Sequence, residues 1–99
     1  MYKKLIWSPL AEKDFVNILE YLQLNWENKV LENFIEITDR MIIQIVLNPK
    51  QFPIISKKHK VRKCVLTKHN TLFYKINLQS IHILRIYDTR QDPMKLKFA

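Results

Sequence analysis

The first half of the chain carries apolar residues at helical spacing in two separate stretches. In the first, Ser8 is a preferred N-cap residue, and Pro9 takes the first helical position, where its missing N–H costs nothing. The predicted helix runs to about Leu24, with polar residues such as Asp14 and Glu20 on a solvated face. Its apolar stripe consists of Ala11, Phe15, Ile18, Leu19 and Leu22.

A second, longer helix is predicted after a break at residues 25–28. It ends at Leu47, because Pro49 cannot continue a helix and also restricts the residue before it. A stripe as broad as this one indicates contact with a sheet and another helix, or with a partner. The stripe consists of Val30, Leu31, Phe34, Ile35, Ile37, Met41, Ile42, Ile45 and Val46.

The remaining apolar runs predict strands. They cover residues 2–7, 61–67, 71–78 and 81–88, with a basic loop at residues 50–60. In the last run, Ile81, Ile83, Arg85 and Tyr87 are predicted to share one face. The resulting order, β-α-α-β-β-β, predicts an α+β fold in which an antiparallel helical hairpin packs on one face of a small, mainly antiparallel sheet. The other face is then free for function.

The bulk composition predicts one soluble domain over residues 1–99. The chain has 99 residues, of which 47% are apolar and 26% charged, as in globular proteins. No apolar run approaches the roughly 18 residues of a membrane span, and the N-terminus does not resemble a signal peptide. A single cysteine, Cys64, excludes an internal disulfide. We therefore expect a cytoplasmic protein without a membrane partner.

The charge is unevenly distributed along the chain. Seventeen Lys and Arg against nine Asp and Glu give a net charge of +8. Residues 50–75 contain basic residues, His59 and His69, and no acid. Such a protein tends to bind nucleic acid, an acidic partner or an anionic surface. The alternative explanation is a proteome rich in lysine.

The candidate functional residues are therefore basic. The three histidines and Cys64 lack the spacing of metal ligands, and the absence of glycine excludes a phosphate-cradling loop, so we expect neither a metal nor a cofactor. Arginine can clamp a phosphate or carboxylate with two N–H groups. Arg90 is the strongest candidate, since Thr89, Asp92 and Pro93 surround it and can fix its loop. The predicted target-binding residues are Arg62, Lys63, Lys75, Arg85 and Arg90.

Three segments together resemble the RelE/ParE superfamily of type II toxin–antitoxin toxins. The opening IWSPLAEKDFVNILEYL is similar to the family's first strand and helix. Arg62 and the Tyr74-Lys75-Ile76 run are similar to its central strands, and ILRIYDTRQDP to its last strand and arginine loop. The resemblance spans nearly the whole chain. It implies a growth-inhibiting toxin whose arginine after the last strand, here Arg90, borders a functional cleft on the sheet.

The superfamily divides by target, and the resemblance implies two candidate activities. One branch cleaves mRNA on the ribosome, using basic residues and a tail Tyr or His; the other poisons DNA gyrase. Thr71 stands where the ribonuclease branch often has arginine, and the tail MKLKFA has neither Tyr nor His, so we favour gyrase poisoning. A ribosome-dependent endoribonuclease is the alternative, with catalytic candidates Arg62, Arg90, His59 and His69. A non-toxic basic nucleic-acid-binding module is the third hypothesis.

The resemblance also implies a protein partner. A cognate antitoxin with an acidic or amphipathic segment is expected to lie on apolar toxin surface and cover basic residues. The broad stripe of the second helix supplies its predicted contacts, which are Phe34, Ile42, Ile45 and Val46.

Overall fold

The computed structural model describes residues 4–90, in which a helical hairpin is inserted between the first strand and the rest of the sheet. The predicted α+β fold is confirmed. Tyr2 and Lys3 of the first predicted strand lie outside the described residues. The elements are β1 (Lys4–Trp7), α1 (Pro9–Asn25), α2 (Asn28–Leu47), β2 (Ile54–Ser56), β3 (Val61–Thr67), β4 (Asn70–Ile76) and β5 (Ser80–Asp88).

The strands form one sheet in the order β1-β5-β4-β3-β2. β1 runs parallel to β5, and all other neighbours are antiparallel. β2 lies within the segment predicted to be a basic loop, and Ile54 pairs with Arg62 of β3. The sequence did not reveal this strand, because it has three residues, follows Pro53 and precedes two lysines. Neither helix of the described part of the chain is long and apolar enough to cross a membrane.

The core lies between the helical hairpin and one face of the sheet. Thr38, buried within α2, donates its hydroxyl proton to the Phe34 carbonyl at 2.7 Å, which satisfies its polar group. Val61 and Phe73 are buried but alternate away from the core, so the second face of the sheet is not uniformly open. The buried core residues are Ala11, Ile18, Leu22, Phe34, Ile45, Cys64, Leu66, Leu72, Tyr74, Ile81, Ile83 and Ile86.

A bulge in β5 changes which residues face the core. Tyr74 pairs with Ile83 but Phe73 pairs with Arg85, so Leu84 is an extra residue. Beyond the bulge, Ile86 is buried in the core instead of Arg85. The predicted common face of Ile83 and Arg85 is therefore wrong, because a two-residue period does not survive an inserted residue.

The edge of β5 beyond β1 is closed by α1. Ser8 caps the helix, since its Oγ accepts from the Ala11 N–H at 3.0 Å, and the same hydroxyl donates to the Leu84 carbonyl at 2.8 Å. One turn later, the Asp14 carboxylate accepts from the Ile86 N–H at 3.1 Å and from the guanidinium of Arg85 at 2.7 and 2.9 Å. Asp14 thus serves the sheet edge and does not lie on a solvated face as predicted.

We expect the Asp14→Ala variant to lose about 2–3 kcal/mol of unfolding free energy, because Arg85 and a strand N–H lose their acceptor together. The two side chains are only 18% and 14% exposed. The matched control is Glu36→Ala, which removes the carboxylate from the exposed Glu36–Arg40 pair and should cost less than about 0.5 kcal/mol. Urea unfolding measures both, and equal losses would contradict a structural role for Asp14.

Candidate functional site: a basic cleft at one end of the sheet

Two adjoining cavities lie where the β2–β3 turn meets the end of β4. One, of about 360 Å³, is bordered by Lys58, His59, Lys60 and Lys75 together with apolar residues that include Leu84 of the bulge. The other, of about 440 Å³, is bordered by Lys50, Lys57, Lys60, Arg62, Ile54 and Ile76. Lys60 and Ile76 border both cavities. We call the two together the basic cleft, with cations Lys50, Lys57, Lys58, Lys60, Arg62 and Lys75.

The turn that supplies most of these lysines has an unusual backbone. Lys60 has φ 57°, and it is the only non-glycine residue with positive φ among residues 4–90. For a residue that has a Cβ, this left-handed backbone conformation costs about 1–2 kcal/mol of conformational free energy. The His59 N–H donates to Ser56 Oγ at 3.3 Å across the same turn. The tight turn brings three lysines and a histidine to one end of the sheet.

No carboxylate close in sequence neutralises the cleft. The chain has no Asp or Glu between Asp39 and Asp88. Among the ion pairs formed within residues 4–90, none includes a cleft cation; the acids pair instead with Arg40, Arg85 and Arg90. The cleft therefore has a positive potential that favours an anionic ligand.

Arg62 joins the cleft to the segment that follows α2. Its Nη1 donates to the Phe52 carbonyl at 2.7 Å and to the Lys50 carbonyl at 3.2 Å. Next to it on the same face, the Tyr74 hydroxyl donates to the Pro49 carbonyl at 2.6 Å. Because Arg62 is anchored in this way, its guanidinium is held in place at the border of the cleft.

Three of the five predicted target-binding residues share the outer face of the sheet. Lys63 pairs with Phe73, which pairs in turn with Arg85, and Lys75 follows two positions along β4. Arg85, however, is held by Asp14 and is only 18% exposed. Its predicted role as a free contact with a target is therefore corrected to a structural one.

Arg90 lies at the other end of the sheet and faces the helical hairpin. Its Nε and Nη2 donate to the Asp88 carboxylate at 3.1 and 3.2 Å. Its guanidinium lies 5.3 Å from the ring centre of Tyr21 and 6.0 Å from that of Trp26. Arg90 thus ties the end of β5 to the end of α1. The residues predicted to fix its loop from the far side, Asp92 and Pro93, lie outside the described part of the chain.

The four catalytic candidates fall into two groups. His59 and Arg62 border the basic cleft, whereas the His69 carbonyl accepts from the Thr89 N–H at 2.9 Å beside Arg90. Arg62 is the second residue of β3, and the rest of that strand, to Thr67, separates the two groups, a span of about 16 Å at the rise of a strand. Arg62 and Arg90 therefore do not border one cleft, contrary to what the resemblance implied.

A family model described as the ParE toxin of the type II toxin–antitoxin system parDE matches residues 5–93 of the chain. The chain belongs to the ParE toxin family. This membership confirms the resemblance to type II toxins of the RelE/ParE superfamily. No curated protein sequence matches the chain.

Solved toxin structures share the fold of this ParE-family chain. The chromosomal ParDE system of P. aeruginosa matches with TM-score 0.74 and 17% identity, over 88% of this chain and 96% of that one. The E. coli DinJ–YafQ toxin–antitoxin complex matches with TM-score 0.65 and 11% identity, over 94% and 99%. The YoeB dimer from Staphylococcus aureus matches with TM-score 0.63 and 16% identity, over 88% and 97%.

The second helix of this ParE-family toxin presents different residues from those predicted to meet an antitoxin. Phe34 and Ile45 are 3% and 0% exposed in the core, so a partner cannot reach them, and this part of the prediction is wrong. Ile42 and Val46 are half-buried beside them. The stripe is broad because α2 packs on both α1 and β3. The exposed apolar residues of the helix are Ile35, Ile43 and Leu47.

The side chains that could hold a metal ion are the described histidines, cysteine and acids. Within residues 4–90, no group of three or more His, Cys, Asp or Glu side chains is arranged to hold a metal ion. Cys64 is fully buried, and burial raises the pKa of its thiol to about 11, which makes it a poor nucleophile at neutral pH.

The pKa of Tyr74 makes the stability of the site sensitive to alkali. Burial raises the pKa of the Tyr74 hydroxyl from 10.0 to about 12. The protonated hydroxyl is favoured in the folded state, so its stabilising contribution is complete below pH 10 and is lost as the pH rises through 12. We therefore expect the unfolding free energy of the wild type to fall toward that of the Tyr74→Phe variant. The difference between the two unfolding free energies should narrow by about 1 kcal/mol between pH 8 and pH 11. Guanidinium unfolding at both pH values measures this difference, and a constant difference would contradict the raised pKa.

Proposed function

We propose that this ParE-family toxin acts by binding DNA gyrase rather than by cleaving RNA. One observation carries the proposal. Most of β3 lies between two groups of candidate residues, Arg62 with His59 at one end and Arg90 with His69 at the other. Catalysis of RNA cleavage requires charge-stabilising donors and a proton-transfer group within hydrogen-bond distance of the same phosphate. Groups about 16 Å apart along a strand cannot meet that requirement together.

The contacts of Arg90 and Tyr74 also favour binding over catalysis. Arg90 is 17% exposed, and its donors face Asp88, so a phosphate would have to displace a buried carboxylate. Tyr74 donates its proton to a backbone carbonyl, and its raised pKa opposes a role as a base at neutral pH. Match to the ParE family model supports the same conclusion.

A ribosome-dependent mRNA endoribonuclease is the second candidate, because His59 borders the same cavity as three lysines. In that case Arg62 and a cleft lysine would stabilise the charge on the scissile phosphate, and His59 would transfer a proton. RNA supplies its own 2′-hydroxyl nucleophile, so this chemistry requires no cofactor.

Purified toxin should inhibit the supercoiling of relaxed plasmid by bacterial DNA gyrase and leave mRNA intact in a coupled translation reaction. The physical reason is that a binding protein requires a surface and no convergent catalytic groups. His59→Ala serves as the control variant, since it should not change gyrase inhibition.

The opposite result would identify the ribonuclease. In that result mRNA is cut, gyrase is unaffected, and His59→Ala lowers the cleavage rate about 100-fold or more. Absence of both gyrase inhibition and mRNA cleavage, with harmless expression in a bacterial host, would favour the non-toxic nucleic-acid-binding module.

We further propose that a cognate antitoxin binds the exposed face of α2. The family is described as the toxin of a two-protein system, and solved relatives such as DinJ–YafQ are toxin–antitoxin complexes. Ile43 and Leu47 are 57% and 72% exposed and lie one helical turn apart. The cations Lys50 and Lys57 follow the helix, so an acidic, amphipathic segment is complementary to this surface.

The double variant Ile43→Asp/Leu47→Asp should weaken binding to the product of the neighbouring gene at least about 10-fold, because two apolar contacts become buried charges. Isothermal titration calorimetry measures the affinity. The control is Leu24→Asp/Val65→Asp, which places the same charges at residues that are 83% and 55% exposed elsewhere. An equal loss in both variants would indicate a general charge effect and refute the assigned surface.

A further inference from the structure

We infer that the basic cleft binds the phosphate backbone of double-stranded DNA. The observation is that six cations, Lys50, Lys57, Lys58, Lys60, Arg62 and Lys75, line two cavities that have Lys60 and Ile76 in common. Duplex DNA carries one negative charge per about 1.7 Å of helix axis, so it meets such a cluster with several phosphates at once.

The cations are available to a ligand. Lys50, Lys57, Lys58 and Lys60 are exposed, and no ion pair within residues 4–90 includes them. Arg62 is held at the cleft border through Nη1 alone, which donates to two backbone carbonyls. An anchored guanidinium loses little side-chain entropy when it binds a phosphate.

The lining of the cleft favours a duplex over a single strand. Proteins that bind single strands stack the bases on aromatic side chains. The residues that border the two cavities are aliphatic, amide and basic, with His59 as the one ring. Lysine side chains contact phosphates without reading sequence, so the cleft should follow the backbone of a paired, stacked duplex.

The left-handed backbone at Lys60 lies in the same cleft. The residue borders both cavities, and its φ of 57° is one that glycine or asparagine adopts at lower cost. A lysine there places a charge at the centre of the cleft at the expense of backbone energy. Strain of this kind is characteristic of functional sites.

This inference rests on the proposed gyrase-directed function for its biological setting, since gyrase holds duplex DNA, but the binding is measured without gyrase. A fluorescein-labelled 20-base-pair duplex of random sequence is titrated with the purified chain at several KCl concentrations. The cleft variant is Lys57→Gln/Lys58→Gln, which removes one exposed cation from each cavity. The control is Lys13→Gln/Lys29→Gln, which has the same net charge and changes two exposed lysines of the helical hairpin.

The cleft variant should bind about 10-fold or more weakly at 0.1 M salt, and its slope of log K against log salt should be shallower by about 2. The control should retain the wild-type slope. Both variants should unfold at the melting temperature of the wild type, which would show that the substitutions leave the fold unchanged. Equal weakening of the two variants, no binding by the wild type, or tighter binding of an acidic peptide than of DNA would overturn the inference.

The gyrase assay separates this inference from the proposed function. Gyrase inhibition that persists in the cleft variant, with no DNA binding by the wild type, would refute the DNA site and leave the function standing. DNA binding that maps to the cleft, with gyrase unaffected by the wild type, would support the site and refute the proposed target.

Discussion

The unequal lengths of β1 and β5 are the constraint on which the rest of the structure depends. β1 has four residues and β5 has nine, so about half of β5 has no strand on one side. Unpaired strand edges must be covered, because their N–H and C=O groups require partners. Ser8 and Asp14 of the first helix supply those partners, which fixes where the helical hairpin crosses the sheet. The same contacts keep Arg85 away from solvent.

Charge is segregated between the two ends of the sheet. At one end, Arg90 is neutralised by Asp88 and covered by Tyr21 and Trp26, so its charge contributes to holding the hairpin. At the other end, the cleft lysines form no ion pair within residues 4–90. A buried, paired arginine is a structural residue, whereas an exposed, unpaired cluster is available for recognition.

The sequence was informative where local rules decide the structure. The N-cap at Ser8, the stop before Pro49 and the apolar periods predicted both helices and their order in the fold. Three features depend on distant contacts and were not predictable: the three-residue β2, the bulge at Leu84, and the stacking of Arg90 on Trp26. Periodicity identifies the broad face of α2 but not what covers it, so it predicts a partner contact for Phe34 and Ile45, which are buried in the core. The two cavities that Lys50 and Lys75 border likewise require the folded chain.

The backbone at Lys60 has a consequence for how such a chain evolves. A chain selected for folding alone would place glycine or asparagine at a left-handed position, and this chain has no glycine in 99 residues. If the cleft binds DNA as proposed, Lys60 trades thermodynamic stability for surface charge. A lineage that lost the need for the charge would be free to replace this lysine first, since the replacement would stabilise the fold. Under the proposed DNA-binding role, the residue at this position would mark whether a related chain keeps that role.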